Sequence, residues 1–479
     1  MDKYISPGVY VESTSSVVSG DDSLSTGIGG FIGISERGPR TPTLISSWQE
    51  YIDTFAFGMD SPFLSNSFLA FAVYGFFQNG GKQCYVQKAA RGGTQSMAEV
   101  VYRPAGTEVA PILFTLRAIE RGAWGNKLSC VLSQPQPKGG NYRLTIKYNE
   151  NTVETFDAPW ESLASAIATS RFVVLEGSIS ADAPHFTNPS EVTSTFGGGN
   201  EENIPVLEYW KFNGPVERLN YITILDEVFA GLEREEIRTL IKTFFDVIAT
   251  RKETVIITED MGLKPGDYYS MPPERIIAYY PKVNVPDPLN SGALREVTPV
   301  GHVMGVLARI AQERGIWKAP AGTECTLKGV VSVAEPVDAG ELRARGVNAI
   351  IYKPNYGVVI WGAVTQALNN DMAYVTDVLL DCYIKDAIDT ALQPAVFEPN
   401  NSALWIRVKA DIESILDTLW RAGGLAGSEA SQAYYVKCDE ELNPESVRDA
   451  GELRVEVGYA RNRPAEFIIV RVAHSINRS

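Results

Sequence analysis

Apolar residues recur at helical spacing in five long stretches of the chain. The first has Ser61 as a cap and Pro62 at the first helical position, then Leu64, Phe68, Phe71, Ala72 and Phe76 on one face, and stops at Gly80-Gly81. These start, face and stop signals predict a helix from Ser61 to Asn79. A charged amphipathic stretch, Leu232 to Thr250, lies between strand-like Tyr221 to Leu225 and Thr254 to Thr258, with Ile276 to Tyr280 as a further strand. That strand, helix, strand order predicts α/β structure. Further helices are predicted over Val300 to Gln312 and Ala373 to Leu392. The polar Glu398-Pro399-Asn400-Asn401 then stops one helix and caps the next, whose stripe is Leu404, Val408, Ile412, Ile415 and Leu419 and whose end is Gly423-Gly424.

Shorter segments have the character of strands. Gly27 to Ile34, GIGGFIGI, reads as a buried strand thinned by glycine, with a turn at Gly38-Pro39. The glycine-rich loops Arg91 to Thr94 and Phe196 to Asn200 bracket Ile112 to Leu116, Leu128 to Leu132, Tyr142 to Tyr148 and Phe172 to Leu175, which predicts an inserted β domain. Asn348 to Tyr352 and Val358 to Trp361 form a hairpin around Lys353 to Gly357, and Ala433 to Lys437, Glu452 to Tyr459 and Glu466 to Val472 close the chain. The expected fold class is multidomain, α/β and α+β. Its parts are an extended arm (1–26), a first part of the core (27–96), the β insert (97–200), a middle α/β domain (201–340), a C-terminal domain (341–460) and a final arm (461–479).

Composition narrows the function. The 479 residues exceed one compact core, and 44% hydrophobic with 21% charged residues describes an ordinary globular chain. A net charge of −15 argues against a nucleic-acid partner. Five cysteines without C-x-x-C spacing fit reduced thiols in a cytosol. The densest apolar run, Phe68 to Phe77, is too short to cross a bilayer, and Met1 to Tyr4 carries no export pattern, so a cytoplasmic site of synthesis is expected.

Catalytic signatures are missing. His185, His302 and His474 are far apart, without metal-ligand spacing. Gly80-Gly81-Lys82 is followed by Gln83 where a phosphate loop needs Ser or Thr, so it reads as a helix end. Gly27-Ile28-Gly29 lacks the third glycine of a dinucleotide fingerprint, and no G-x-S-x-G occurs. Asp377, Asp381, Asp386 and Asp389 on one helix read as a solvated acidic face. No enzyme activity, cofactor or metal is expected.

The two ends are more informative. Residues 1–26 set Lys3 against Asp2, Glu12, Asp21 and Asp22, whereas residues 461–479 set Arg461, Arg463, Arg471 and Arg478 against Glu466. Each end has a strand-forming centre: Val9, Tyr10 and Val11 in one, Phe467, Ile468, Ile469 and Val470 in the other. The second is apolar on both alternating faces and requires burial on both. Either these segments complete their own domain or they add to a sheet edge in a neighbouring subunit.

In Pro7-Gly8-Val9-Tyr10-Val11-Glu12, in Gly30-Phe31-Ile32-Gly33 leading to Arg37-Gly38-Pro39, and in Phe76-Phe77-Gln78-Asn79-Gly80-Gly81, the sequence resembles the contractile tail sheath proteins of myophages and phage-tail-like injection particles. The likeness continues in Arg314-Gly315-Ile316-Trp317-Lys318-Ala319-Pro320-Ala321, Phe397-Glu398-Pro399-Asn400-Asn401, Tyr434-Tyr435-Val436-Lys437-Cys438-Asp439 and Arg463-Pro464-Ala465-Glu466-Phe467. The resemblance implies a structural subunit that forms helically stacked hexameric rings around an inner tail tube. Baseplate and tail terminator proteins are its other implied partners, with no membrane insertion. It also implies that both arms are donated as strands, that the C-terminal domain faces the tube and that the insert lies outside. Arg407, Lys409 and Asp411, off the apolar stripe, are the candidate tube contacts. A virion tail and a capsid-less injection particle or bacteriocin both fit, and an α/β enzyme is the competing class.

Overall fold

The computed structural model describes residues 26–103, 110–135, 140–186, 191–260, 271–368 and 371–464. An eight-stranded sheet organises them, in the order Thr43–Ile45, Cys84–Lys88, Gly29–Gly33, Tyr221–Ile224, Val255–Glu259, Ile276–Tyr280, Val347–Lys353, Gly357–Ile360. The six inner strands are parallel and the two edges antiparallel. Parallel strands carry helices on both faces, so successive residues are buried on opposite sides. Phe31 joins the core under helices α1 (Leu69–Gln78) and α2 (Val300–Arg314), and Ile32 joins the core under the Arg234–Ala249 helix.

Helices α1 and α2 approach closely. A Cβ at Gly301 would lie 2.1 Å from the Ala72 carbonyl oxygen, and one at Gly75 would lie 2.5 Å from His302 Nδ1. His302 is a core residue whose burial pushes its imidazole down to about 4.

Helix α1 begins at Leu69, not at Ser61. Ser61 Oγ accepts a hydrogen bond from the Phe63 amide, a local turn, and the true helix start is fixed by Ser67 Oγ, which accepts from the Leu69 amide at 3.0 Å, together with a distant segment. There the Glu227 carboxylate accepts from the Phe68 amide and Ser67 Oγ, both at 3.1 Å. Burial pushes this carboxyl up to about 7, so its stabilising contribution is complete below its ordinary value of 4.5 and fades as pH rises through 7. Glu227→Gln keeps an acceptor without the charge. Between pH 5 and pH 8 the wild type is expected to lose about 2 kcal/mol that Glu227→Gln retains, read by urea unfolding at both pH values. Parallel pH dependences would remove Glu227 as the cause.

The β insert has its own apolar core, built on Trp124, Trp160, Phe114, Leu144 and Phe172 between a three-stranded and a four-stranded antiparallel sheet. Its connections to the main sheet are not bare loops. Arg91–Thr94 and Asn200–Glu202 pair antiparallel as a crossover ribbon, and buried charges brace it. Lys88 and Arg40 both reach Glu201, at 2.6 and 2.8 Å, and the Arg37 guanidinium lies 4.5 Å from each of the Trp124 and Phe172 ring centroids.

Helices α3 (Val375–Leu392) and α4 (Ser402–Arg421) form the C-terminal layer. Asn401 caps α4, accepting from the Ala403 and Leu404 amides. Helix α3 serves two cores: Val375, Val378 and Cys382 enter the main one, whereas Leu380, Ile384 and Ile388 pack on Leu404, Trp405, Val408 and Ile412 of α4. With apolar contacts on two sides, α3 has no solvated acidic face. Asp377 is 1% exposed beside Arg461, Asp381 binds Lys385 and Tyr459, Asp386 meets Arg218 at 3.0 Å and Asp389 meets Lys252 at 3.6 Å.

Candidate assembly surfaces

Beyond α4 the chain forms a two-stranded antiparallel ribbon, Tyr434–Lys437 against Glu456–Tyr459. Among the described residues these strands pair only with each other, so both outer edges offer backbone donors and acceptors. The inner face is held by Val436 and Val457 against α4, and Tyr435 is half exposed. The candidate donated residues Val9, Tyr10, Val11, Phe467, Ile468, Ile469 and Val470 lie outside the described residues.

The candidate tube contacts fall on the solvent side of α4. Arg407 stands 3.8 Å from Glu398, Lys409 stands 3.7 Å from Glu413, and Asp411 is exposed. Sequence reasoning chose these charges and passed over two apolar neighbours. Ile406 is 71% exposed, and Phe397, in the left-handed backbone region at φ 70°, is 87% exposed. A phenylalanine held in that conformation with its ring in solvent gains nothing within the subunit. The available signal was that Ile406 sits off the Leu404, Val408, Ile412 stripe.

Among the described residues no group of three or more His, Cys, Asp or Glu side chains is placed to hold a metal. A cavity of about 370 Å³ is lined by Arg343, Leu368, Asp371, Tyr374 and Arg463, with Arg463 paired to Asp371 at 3.3 Å. All five cysteines are buried free thiols; burial pushes Cys325 up to about 11 and Cys130 and Cys382 to about 12. No helix among the described residues is long and apolar enough to cross a membrane.

The chain has the fold of solved sheath proteins of contractile particles. Residues 368–475 match the family described as phage tail sheath C-terminal domain. Over nearly the whole length the chain is similar to a chain of the anti-feeding prophage baseplate, with 22% identity, a TM-score of 0.58, and 99% of this chain and 100% of that chain covered. A sheath complex of an extracellular contractile injection system in the contracted state gives 21%, 0.57, and 99% of each chain. The sheath tail protein of Desulfitobacterium hafniense gives 13%, 0.60, and 90% and 94%. No curated protein matches.

Proposed function

We propose that the chain is a structural sheath subunit that polymerises as stacked six-membered rings around an inner tube and shortens to drive that tube through a target envelope. The observation that carries this reading is the end-to-end likeness in fold to sheath-bearing contractile particles, supported by the C-terminal family match. A head-to-tail contact that does not close on itself generates an open helical assembly, and tethered terminal strands let neighbours rotate without separating. The acidic first segment and basic last segment suit donation to neighbouring subunits, with the ribbon edges as acceptors. The C-terminal layer faces the tube, the β insert faces outward, and baseplate and terminator proteins bound the assembly, which forms in the bacterial cytoplasm. No catalytic step is needed, since contacts formed on contraction supply the work.

A virion tail and a capsid-less particle both suit this reading, with 17–22% identity to injection-system chains and 13–14% to two bacterial sheath tail proteins. Neighbouring capsid and DNA-packaging genes would mark a virion, and a toxin and an ATPase without a capsid would mark an injection particle.

Negative-stain electron microscopy with sedimentation velocity tests the main reading. Hollow tubes or stacked rings are expected. A monomer at high concentration, with no tubes even when a tube protein is supplied, would overturn it. Charge reversal of both Arg407 and Lys409 is expected to weaken tube docking roughly tenfold or more while the subunit stays folded. Unchanged docking would remove this pair from the interface.

A further inference from the structure

The four residues that follow the C-terminal ribbon are fastened more heavily than closing a two-stranded ribbon requires. The Ala460 amide donates to the Ala433 carbonyl, and the Ala460 carbonyl accepts from the Ala426 amide at 2.8 Å. Arg461 bridges to Leu425 through the backbone. Its side chain, 11% exposed, donates to the Asp371 carbonyl at 3.0 Å, touches Met372 Sδ and lies 3.9 Å from the Asp377 carboxylate. Asn462 donates to the Gly423 carbonyl, and Arg463 pairs with Asp371. Residues 460–463 are thus pinned to three segments: 371–377, 423–426 and the start of the ribbon.

The contacts continue inward along α3. Asp377 holds Arg461, and one turn on Asp381 accepts from the Tyr459 hydroxyl at 2.9 Å. Further along, Asp386 and Asp389 reach Arg218 and Lys252, which flank strands of the main sheet. A row of carboxylates on one helix therefore joins the exit of the last segment to the eight-stranded sheet.

We infer that residues 460–463 are a load-bearing root, with Arg461 on Asp377 as its bolt and α3 as the strut that carries tension from the C-terminal segment into the subunit core. This rests on the sheath reading, in which residues 465–479 are gripped by a neighbour and pulled as rings move. The buried geometry suits the task. Removing Arg461 leaves the Asp377 carboxylate buried without its counter-charge, and two neighbouring acceptors lose a guanidinium that lysine cannot reproduce.

Single-molecule pulling on the full chain tests this directly. One handle is attached beyond Ser479 and the other to Arg238→Cys on the exposed face of the Arg234–Ala249 helix; the five native thiols are buried. At fixed load, Arg461→Ala is expected to shorten the lifetime before first detachment roughly 10- to 100-fold. Arg461→Lys, which keeps the charge and guards against a folding failure of the alanine variant, should fall between. Arg454→Ala, which removes an exposed pair with Glu452, should match wild type. Equal lifetimes for wild type and both Arg461 variants would overturn the inference, as would an equal loss in Arg454→Ala. These readings come from the monomer, so a failure of the wild type to form tubes counts against the sheath reading and leaves the force result standing.

Discussion

Deleting residues 1–20, or residues 464–479, is expected to leave a soluble, folded monomer that forms no tubes. Every residue of the six apolar clusters lies between Ile28 and Tyr459, so neither deletion removes a side chain from a described core. Secondary structure and the melting transition should therefore stay close to wild type. Assembly should not survive. Each donated strand would supply a ladder of backbone hydrogen bonds worth about 1 kcal/mol apiece, and losing several of them raises the concentration needed for polymerisation by more than roughly 100-fold. Sedimentation velocity on both truncations, with circular dichroism as the folding control, reads the outcome. Wholesale aggregation of both proteins would place these strands inside their own subunit.

Replacing Arg37 by alanine should be the most destabilising single change at the joint between insert and core. The guanidinium is 5% exposed and lies between two aromatic faces. It donates to the carbonyls of Phe57 and Arg171, each at 2.9 Å, and stands 3.6 Å from Glu120. Alanine strips two carbonyls of their donor, removes the counter-charge beside Glu120 and leaves a hole between the rings, at a cost of about 3–5 kcal/mol. Lysine should not rescue it, because a point charge cannot stack on two rings and bridge two carbonyls at once. Chemical denaturation gives the magnitude. Hydrogen exchange should show the insert strands loosening before the main sheet. A loss below 1 kcal/mol, with uniform exchange, would mean that the crossover ribbon and the Lys88, Arg40 and Glu201 cluster hold the joint without Arg37.

What could be read from the sequence is what repeats locally. The strand Gly29–Gly33 and the stripe and cap of α4 were legible because two-residue and 3.6-residue periods are written in consecutive side chains. Reading failed where a distant residue decides. The cap that starts α1 joins Ser67 to the distant Glu227, and the partners of Asp386 and Asp389 come from Arg218 and Lys252, so neither the full helix cap nor the paired state of the acidic row is encoded nearby. The strand Asn151–Ala158 was passed over because an outer strand in which Ala158 alone is fully buried shows little alternation. On the solvent side of α4 the exposed charges were legible, but exposed Phe397 and Ile406 were not, since an apolar residue outside a stripe looks like noise until its exposure is known.

Helix α3 also shows that a module of descent need not be a module of folding. The family match begins at residue 368, just ahead of this helix, as if the C-terminal region were a separable cassette. Yet Val375, Val378 and Cys382 are buried among side chains of the main core. A cut before the helix takes those side chains away from one body and leaves them bare on the other. Swapping this region between relatives therefore means exchanging the main-sheet surface that receives α3 along with it. A cut beyond α3 loses as much, since it parts Leu380, Ile384 and Ile388 from α4 and Asp377 and Asp381 from Arg461 and Tyr459, so the helix ties the two bodies into one unit of exchange.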